Sequence, residues 1–168
     1  MAATLLEVQH ITKRFGGFQA LTEVCLQVCQ GECLGLIGPN GSGKTTLINC
    51  ISGVLRTDSG SMRFHDTDIT TLAAHQRTRL GIARSFQIPK PFASMTVLEN
   101  LCIPLAYTAP LQERGTDVTA EAMAILRLMG LEPKAHIRSA HLTLIELRKL
   151  ELARALAARP RLLISDEA

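Results

Sequence analysis

Residues 33–53, CLGLIGPNGSGKTTLINCISG, combine a short apolar run, a glycine-rich loop and a helix-like stretch. The apolar run at 33–37 does not alternate with polar residues, which is typical of a strand buried on both faces of a parallel sheet. Glycines dominate residues 38–43, a helical pattern follows from Lys44 to Ser52, and Gly53 is a natural helix stop. Strand, loop and helix in this order predict an α/β fold.

The loop fits the phosphate-binding P-loop pattern in full, from Gly38 to Thr45. Its glycines let successive backbone N–H groups converge on a phosphate, and the helix that follows adds the positive end of its dipole. Lys44 is placed to reach the β- and γ-phosphates, and the Thr45 hydroxyl to hold Mg²⁺. We therefore expect ATP and Mg²⁺ as cofactors, with this nucleotide-binding set: Gly38, Asn40, Gly41, Ser42, Gly43, Lys44, Thr45 and Thr46.

Two adjacent carboxylates, Asp166 and Glu167, follow an apolar run at 161–165 that predicts a last buried strand. Ligands bind at the carboxyl edge of open α/β sheets. Asp166 suits Mg²⁺ binding through water, and Glu167 suits a general base for the attacking water. Adjacent acids can also be a solvated chain end, but the P-loop upstream favours the catalytic interpretation.

The first part of the chain alternates between strand and helix patterns. Residues 6–9, 23–28 and 61–64 predict strands, residues 73–80 predict a helix, and Gly81 separates that helix from a strand at 82–86. In the second of these strands, Val24, Leu26 and Val28 share one face.

From residue 95 the pattern becomes helical. Thr96 with Glu99, and Thr143 with Glu146, form capping boxes, the second opening a helix to about Ala157. Pro104 is expected to end or kink the first of these helices. Ala122, Ile125, Leu126 and Met129 mark one face of another helix, closed by Gly130. We predict one domain over residues 1–168 with an α-helical subdomain at 95–142.

The composition excludes several classes of protein. Apolar residues make up 46% of the 168 residues, which argues against disorder, and a net charge of +3 gives no support for nucleic-acid binding. Five cysteines without a leader pattern argue against a disulfide framework. Cys25, Cys29 and Cys33 match no zinc spacing and are interpreted as small buried hydrophobic residues. No apolar run is long enough to span a membrane, so we expect a cytoplasmic protein.

With these motifs in this order, the chain resembles the nucleotide-binding domain of ABC transporters over all its residues. The resemblance implies that Phe15 stacks on adenine, although a core phenylalanine is the competing interpretation. It implies that Gln87 is the Q-loop glutamine, which senses Mg²⁺ and the attacking water. It places residues 142–146, LTLIE, where the family has Leu-Ser-Gly-Gly-Gln, so that Thr143 would contact nucleotide of the opposite subunit. Asp166 and Glu167 match Walker B.

The implied fold is a RecA-like P-loop NTPase core with an N-terminal antiparallel β subdomain and an α-helical insert. The C-terminal part of that core, including the D-loop and the switch histidine, is expected to be missing. The histidines present all precede Walker B: His10, His65, His75, His136 and His141. Without the family's intervening strand, we expect residues 33–37 and 161–165 to lack their shared neighbour, and the chain to be marginally stable.

Three stretches are similar to the branch that contains branched-chain amino-acid uptake ATPases: residues 15–17, 68–70 and 81–87. One stretch departs from the family, because Leu144 and Ile145 replace the signature glycines and Ile145 restricts the backbone.

The resulting hypothesis is an ATP-hydrolysing energy-coupling subunit of an importer for branched-chain amino acids or a related small solute. It implies a second ATP-binding subunit and transmembrane permease subunits as partners, with docking around residues 87–100 and a location on the inner face of the membrane. The alternative is a non-catalytic nucleotide-binding fragment, and we expect the 168-residue chain itself to be inactive. A nucleic-acid-directed ABC ATPase and a small-molecule P-loop kinase fit the sequence less well.

Overall fold

The computed structural model describes residues 3–108 and 117–166. The chain forms two compact units, Met1–Arg77 and Thr78–Ala168. None of the described helices is long and apolar enough to cross a membrane.

The first unit is built on a four-stranded antiparallel sheet with the strand order β2-β1-β3-β4. Val24, Leu26 and Val28 are more buried than the residues between them, which confirms the predicted alternation of the second strand. The predicted burial of the cysteines is wrong, because Cys25 and Cys33 are exposed and Cys29 is only half-buried. The elements of this unit are β1 (Thr4–Phe15), β2 (Phe18–Cys29), α1 (Lys44–Ser52), β3 (Ser59–Phe64) and β4 (Thr67–Asp68); α2 (Ala74–Leu80) begins in it.

Helix α1 has the predicted bounds and ends at Gly53, which has the left-handed φ of 79° that suits glycine. The apolar side chains of β1 and β3 form the buried face of the sheet. They are almost completely inaccessible to solvent, and they include Leu6, Val8, Ile11, Met62 and Phe64.

The predicted strand at residues 33–37 is wrong for this structure. These residues are irregular and exposed, and the side chain of Ile37 is 96% accessible. A strand needs a neighbour to satisfy its backbone N–H and C=O groups, and none of the described residues pairs with this segment. Its apolar composition alone is therefore not enough to make it a strand.

The second unit combines a parallel strand pair with helices. The pair joins Ile82 to Leu162 and Ser85 to Ser165. The elements are β5 (Ile82–Ser85), α3 (Val97–Thr108), α4 (Val118–Leu128), α5 (Leu144–Ala157), β6 (Leu162–Ser165) and two 3₁₀ turns at Glu132–Lys134 and Ser139–His141. A buried cluster holds the helices together; its fully inaccessible members include Val97, Leu101, Ala122, Leu126 and Leu150.

Strand β6 is less buried than predicted. The side chains of β6 alternate between half-buried and exposed, and Leu163 is 38% accessible. Among the described residues β6 pairs only with β5, so its second edge has no neighbouring strand to cover it.

Both predicted capping boxes are confirmed. At the start of α3 the Thr96 N–H donates to Glu99 and the Glu99 N–H donates to the Thr96 hydroxyl. The box of Thr143 and Glu146 opens α5, which ends at Ala157 as predicted. Pro104 does not end α3, because the helix continues to Thr108. The buried side chains of Leu101 and Leu105 anchor the helix on both sides of the proline.

Candidate nucleotide site

The P-loop joins the exposed segment 33–42 to α1 and is shaped by its glycines. Gly43 has a φ of 89°, and a Cβ there would lie 2.7 Å from the carbonyl oxygen of Ala20 in β2. Gly41 has a φ of 82°, and a Cβ on Gly38 would lie 2.8 Å from Ser42 Oγ. The loop therefore needs small residues, both for its left-handed turns and for its close contacts.

The start of α1 is open to an anion. Gly43 is the N-cap and supplies no side-chain hydrogen bond, and the first turn contains no acidic residue. The first N–H groups of a helix lack partners within the helix, and the dipole makes this end positive. A phosphate group fits such a place without competition from a carboxylate.

Lys44 turns its ammonium group back onto the loop. Its Nζ donates to the carbonyl oxygens of Gly38, at 2.6 Å, and Pro39, at 2.8 Å. The ammonium is thus held over the curled backbone that the sequence predicts as a phosphate cradle. Asn40 and Thr45 are exposed, and Thr46 is half-buried.

The other end of α1 is held by Arg77, which sequence reasoning missed. This side chain is only 2% accessible. Its Nη1 donates to Cys50 O at 2.6 Å and Ile51 O at 2.9 Å, and its Nε and Nη2 donate to Leu72 O and Thr70 O. The last carbonyls of a helix have no donors within the helix, and a guanidinium there supplies them; Cys50 O accepts in addition from the Gly53 N–H at 3.2 Å. Burial lowers the pKa of Arg77 from its usual value.

Phe15 lies at the end of β1, beside the turn that leads to Phe18. Its side chain is 47% accessible, so the structure does not support its interpretation as a core phenylalanine. The Lys13 ammonium lies 5.8 Å from the centre of its ring. An exposed aromatic face is what stacking on a base requires, and the predicted role of Phe15 remains a prediction.

In the second unit, the structure brings Gln87 and Asp166 to one cavity of about 200 Å³. Both follow the carboxyl ends of parallel strands, β5 and β6, as the topology predicts. The lining also includes Phe86, Arg148 and Glu151. Glu167 lies outside the described residues.

Asp166 is engaged by Arg84, a neighbour that the sequence did not indicate. Arg84 Nη2 lies 2.6 Å from Asp166 Oδ2, and the two side chains are 9% and 11% accessible. The guanidinium also lies 4.9 Å from the ring centre of Phe86. One carboxylate oxygen is therefore fixed, because Arg84 lies on β5 and Asp166 directly follows the neighbouring β6.

The segment after Gln87 is attached to α5. Arg154 Nη1 donates to Lys90 O at 2.8 Å and to Glu151 Oε2 at 3.1 Å, while the Lys90 N–H points at the same carboxylate oxygen at 3.4 Å. The Arg154 guanidinium also lies 5.0 Å from the ring centre of Phe92. Both backbone groups of Lys90 are thus used in binding the helix.

Asn100 fixes the next part of the same segment. Its Oδ1 accepts from the Phe92 N–H at 2.8 Å, and its Nδ2 donates to Phe92 O and Thr96 O. Asn100 is inaccessible to solvent, and Ser139 Oγ also donates to Phe92 O at 2.9 Å. The segment is ordered by buried polar contacts, although Ile88 remains 71% exposed.

Thr143, the predicted signature contact, has its hydroxyl engaged within α5. Thr143 Oγ1 donates to Glu146 Oε2 at 2.9 Å and accepts from the Glu146 N–H at 3.4 Å. Glu146 Oε1 lies 2.6 Å from Lys134 Nζ. The hydrogen bond from Lys134, followed by those from the Thr143 backbone and hydroxyl, lowers the pKa of Glu146 to about 2.

The side-chain oxygens of the predicted metal-binding residues suit Mg²⁺ that is held largely by a nucleotide and by water. The described residues contain no cluster of three or more histidine, cysteine or acidic side chains that could hold an ion. Mg²⁺ beside a nucleotide keeps several waters and phosphate oxygens and needs only one or two protein oxygens. Hard oxygens of this kind are present in each unit: the Thr45 hydroxyl in the first, and the Gln87 amide and the Asp166 carboxylate in the second.

Comparison with known proteins identifies the family of this chain. The ABC transporter family profile matches residues 21–168. A probable branched-chain amino acid transport ATP-binding protein LivG of Archaeoglobus fulgidus is 40% identical, over 97% of this chain and 67% of that protein. The high-affinity branched-chain amino acid transport ATP-binding protein LivG of Escherichia coli is 32% identical, over 99% of this chain and 70% of that protein.

Solved structures of ATP-binding cassettes point to the same family as the sequence comparisons. The chain is similar to a nucleotide-free ATP-binding cassette from an ABC transporter, with a TM-score of 0.82 and 35% identity over 97% of this chain and 68% of the other. It is also similar to a dimeric cassette in a post-hydrolysis state with ADP and Pi, with a TM-score of 0.84 and 26% identity over 96% of this chain and 73% of the other. The chain belongs to the ABC transporter ATP-binding family.

Proposed function

We propose that this protein is the ATP-binding and ATP-hydrolysing energy-coupling subunit of an ABC importer. The observation that carries the proposal is the P-loop, with its left-handed glycines, its uncapped helix start and the Lys44 ammonium held over the loop. The match of the family profile to most of the chain supports the same conclusion.

The proposed roles follow from position and chemistry. The backbone N–H groups of residues 38–46 bind phosphate oxygens, and Lys44 moves from the loop carbonyls to the β- and γ-phosphates. Phe15 stacks on adenine. Thr45, Gln87 and Asp166 hold Mg²⁺ and its waters, with Arg84 orienting the Asp166 carboxylate. Glu167 accepts a proton from the attacking water.

Calorimetric titration of the purified protein with Mg-ATP tests the proposal. We expect saturable binding of one ATP per chain and competition by ADP, because the cradle recognises the phosphates that both nucleotides share. If titration with Mg-ATP gives no heat of binding, the proposal is contradicted.

We further propose that the transported solute is a branched-chain amino acid or a related small molecule. The support is that relatives at 32–40% identity are branched-chain amino acid transport ATP-binding proteins. The protein is then cytoplasmic and bound to the inner face of the membrane through permease subunits, with a second ATP-binding subunit beside it.

The permease contact is proposed at residues 87–100. Ile88 is 71% exposed, while Lys90 and Phe92 beside it are fixed to α5 and α3. An exposed apolar side chain on a firmly held segment can bind a partner with little loss of conformational entropy. We expect Ile88→Asp to abolish co-purification with the permease subunits and to leave ATP binding unchanged.

Leu128→Asp is the matched control for this prediction. Leu128 is 74% exposed on α4, away from the segment after Gln87 in sequence. The Leu128→Asp variant should co-purify with the permease subunits as the wild-type protein does. Equal loss with both variants, or retention with both, places the contact elsewhere.

A non-catalytic nucleotide-binding protein remains the second candidate. The observation in its favour is the exposed, unpaired segment 33–37, which precedes the P-loop and is not a strand. Steady phosphate release that disappears in Glu167→Gln supports the hydrolase. Nucleotide binding with no such release supports the second candidate.

A further inference from the structure

The start of α5 differs from the start of α1 at the P-loop in its hydrogen bonds, its charge and its side chains. The inference below rests on the proposed function, because it concerns the nucleotide held by a second ATP-binding subunit. Residues 142–146 are LTLIE, and α5 begins at Leu144 with Thr143 as its N-cap.

The donors at this helix start are already in use. The Thr143 N–H donates to Glu146 Oε2 at 2.9 Å, and the Thr143 hydroxyl donates to the same oxygen at 2.9 Å. The Glu146 N–H donates to Thr143 Oγ1. A phosphate arriving here would have to break the capping box to obtain these donors, whereas the start of α1 has no such cap.

The charge at this helix start is also unfavourable for an anion. Glu146 carries a carboxylate in the first turn, and its low pKa keeps it ionised at neutral pH. Lys134 does not offer a spare cation, because its ammonium lies 2.6 Å from Glu146 Oε1. The carboxylate therefore occupies the place at the positive end of the dipole that an external phosphate would take.

The side chains around the remaining N–H groups are bulky. Leu144 is 60% exposed and Ile145 is 70% exposed, so both project outward at the first turn. Glycine would let another subunit's phosphate approach the backbone closely, whereas a leucine and a β-branched isoleucine keep it at a distance.

We propose that the start of α5 is closed to phosphate, so that this protein binds nucleotide at its own P-loop but does not complete the nucleotide site of a second subunit. Two identical copies would face each other with two closed helix starts. This replaces the prediction that Thr143 contacts nucleotide.

Sedimentation velocity with a non-hydrolysable ATP analogue and Mg²⁺ tests this proposal. We expect the wild-type protein to show the same weak self-association with and without the analogue. Glu146→Gln removes the charge but keeps a residue that can form the capping box, so the fold is retained. We expect it to strengthen analogue-dependent self-association by about tenfold. Adding Leu144→Gly and Ile145→Gly should strengthen it further.

Glu132→Gln is the matched control. Glu132 is paired with Arg127 and lies outside the helix start, so its neutralisation should change nothing. The proposal is overturned if the wild-type protein dimerises with the analogue as readily as Glu146→Gln, or if neither variant at the helix start associates more strongly than the control. Nucleotide binding is measured separately in each sample; its absence from the wild-type protein refutes the proposed function itself.

Discussion

Lys44→Ala is expected to remove nearly all of the stabilisation that Mg-ATP gives to the wild-type protein. A ligand that binds only the native state stabilises it by about 2.7 kcal/mol when its concentration is 100 times Kd. The Lys44 ammonium is held over the P-loop by two loop carbonyls and is the charged side chain of that loop. Without it, the backbone cradle must bind a polyanion alone. Thermal denaturation with and without Mg-ATP measures the effect.

Arg56→Ala serves as the control for the loss of a cation from the same unit. Arg56 is exposed and follows α1, outside the P-loop. Its variant should melt at the wild-type temperature and respond fully to Mg-ATP. A full response in Lys44→Ala would show that nucleotide binds somewhere other than the P-loop.

Arg77→Met is expected to be the most destabilising single substitution of a charged residue in the first unit, by roughly 3 kcal/mol. Methionine preserves most of the side-chain volume but donates no hydrogen bond. Four carbonyl groups, those of Cys50, Ile51, Thr70 and Leu72, lose their hydrogen bonds from Arg77, and Cys50 O keeps only the one from the Gly53 N–H. Two of them terminate α1, so the P-loop helix loses the group that fixes its end.

Arg79→Met is the control, because Arg79 lies on the same helix α2 and is exposed. Urea denaturation monitored by circular dichroism should give the wild-type free energy of unfolding for Arg79→Met. The same measurement should give a free energy of unfolding that is lower by roughly 3 kcal/mol for Arg77→Met. Similar curves for the two variants would mean that the Arg77 hydrogen bonds contribute little net free energy.

Local signals predicted much of the fold. The bounds of α1 and α5 follow from Gly53 and from the capping box of Thr143 and Glu146, because each acts on backbone groups within a few residues. The placement of Gln87 and Asp166 at one cavity follows from parallel strands that end at the same edge.

Features that depend on distant residues were missed. Residues 33–37 have the composition of a buried strand, but strand formation depends on a neighbour that no local pattern reveals. Arg77 looks like a surface residue of a short helix, and only the folded chain brings it to the end of α1. The ion pair of Arg84 with Asp166 joins residues far apart in sequence, so spacing could not indicate it.

The attachment of residue 90 to α5 has a consequence for how this region can change in evolution. Arg154 and Glu151 hold the backbone C=O and N–H of Lys90, while its side chain takes no part in these contacts. Most residues could therefore replace Lys90 without loosening the segment, but proline could not, because it lacks the N–H. Exposed positions such as Ile88 are free to follow changes in the proposed permease partner. We expect sequence variation to concentrate at 88 and 90 and to spare 151 and 154.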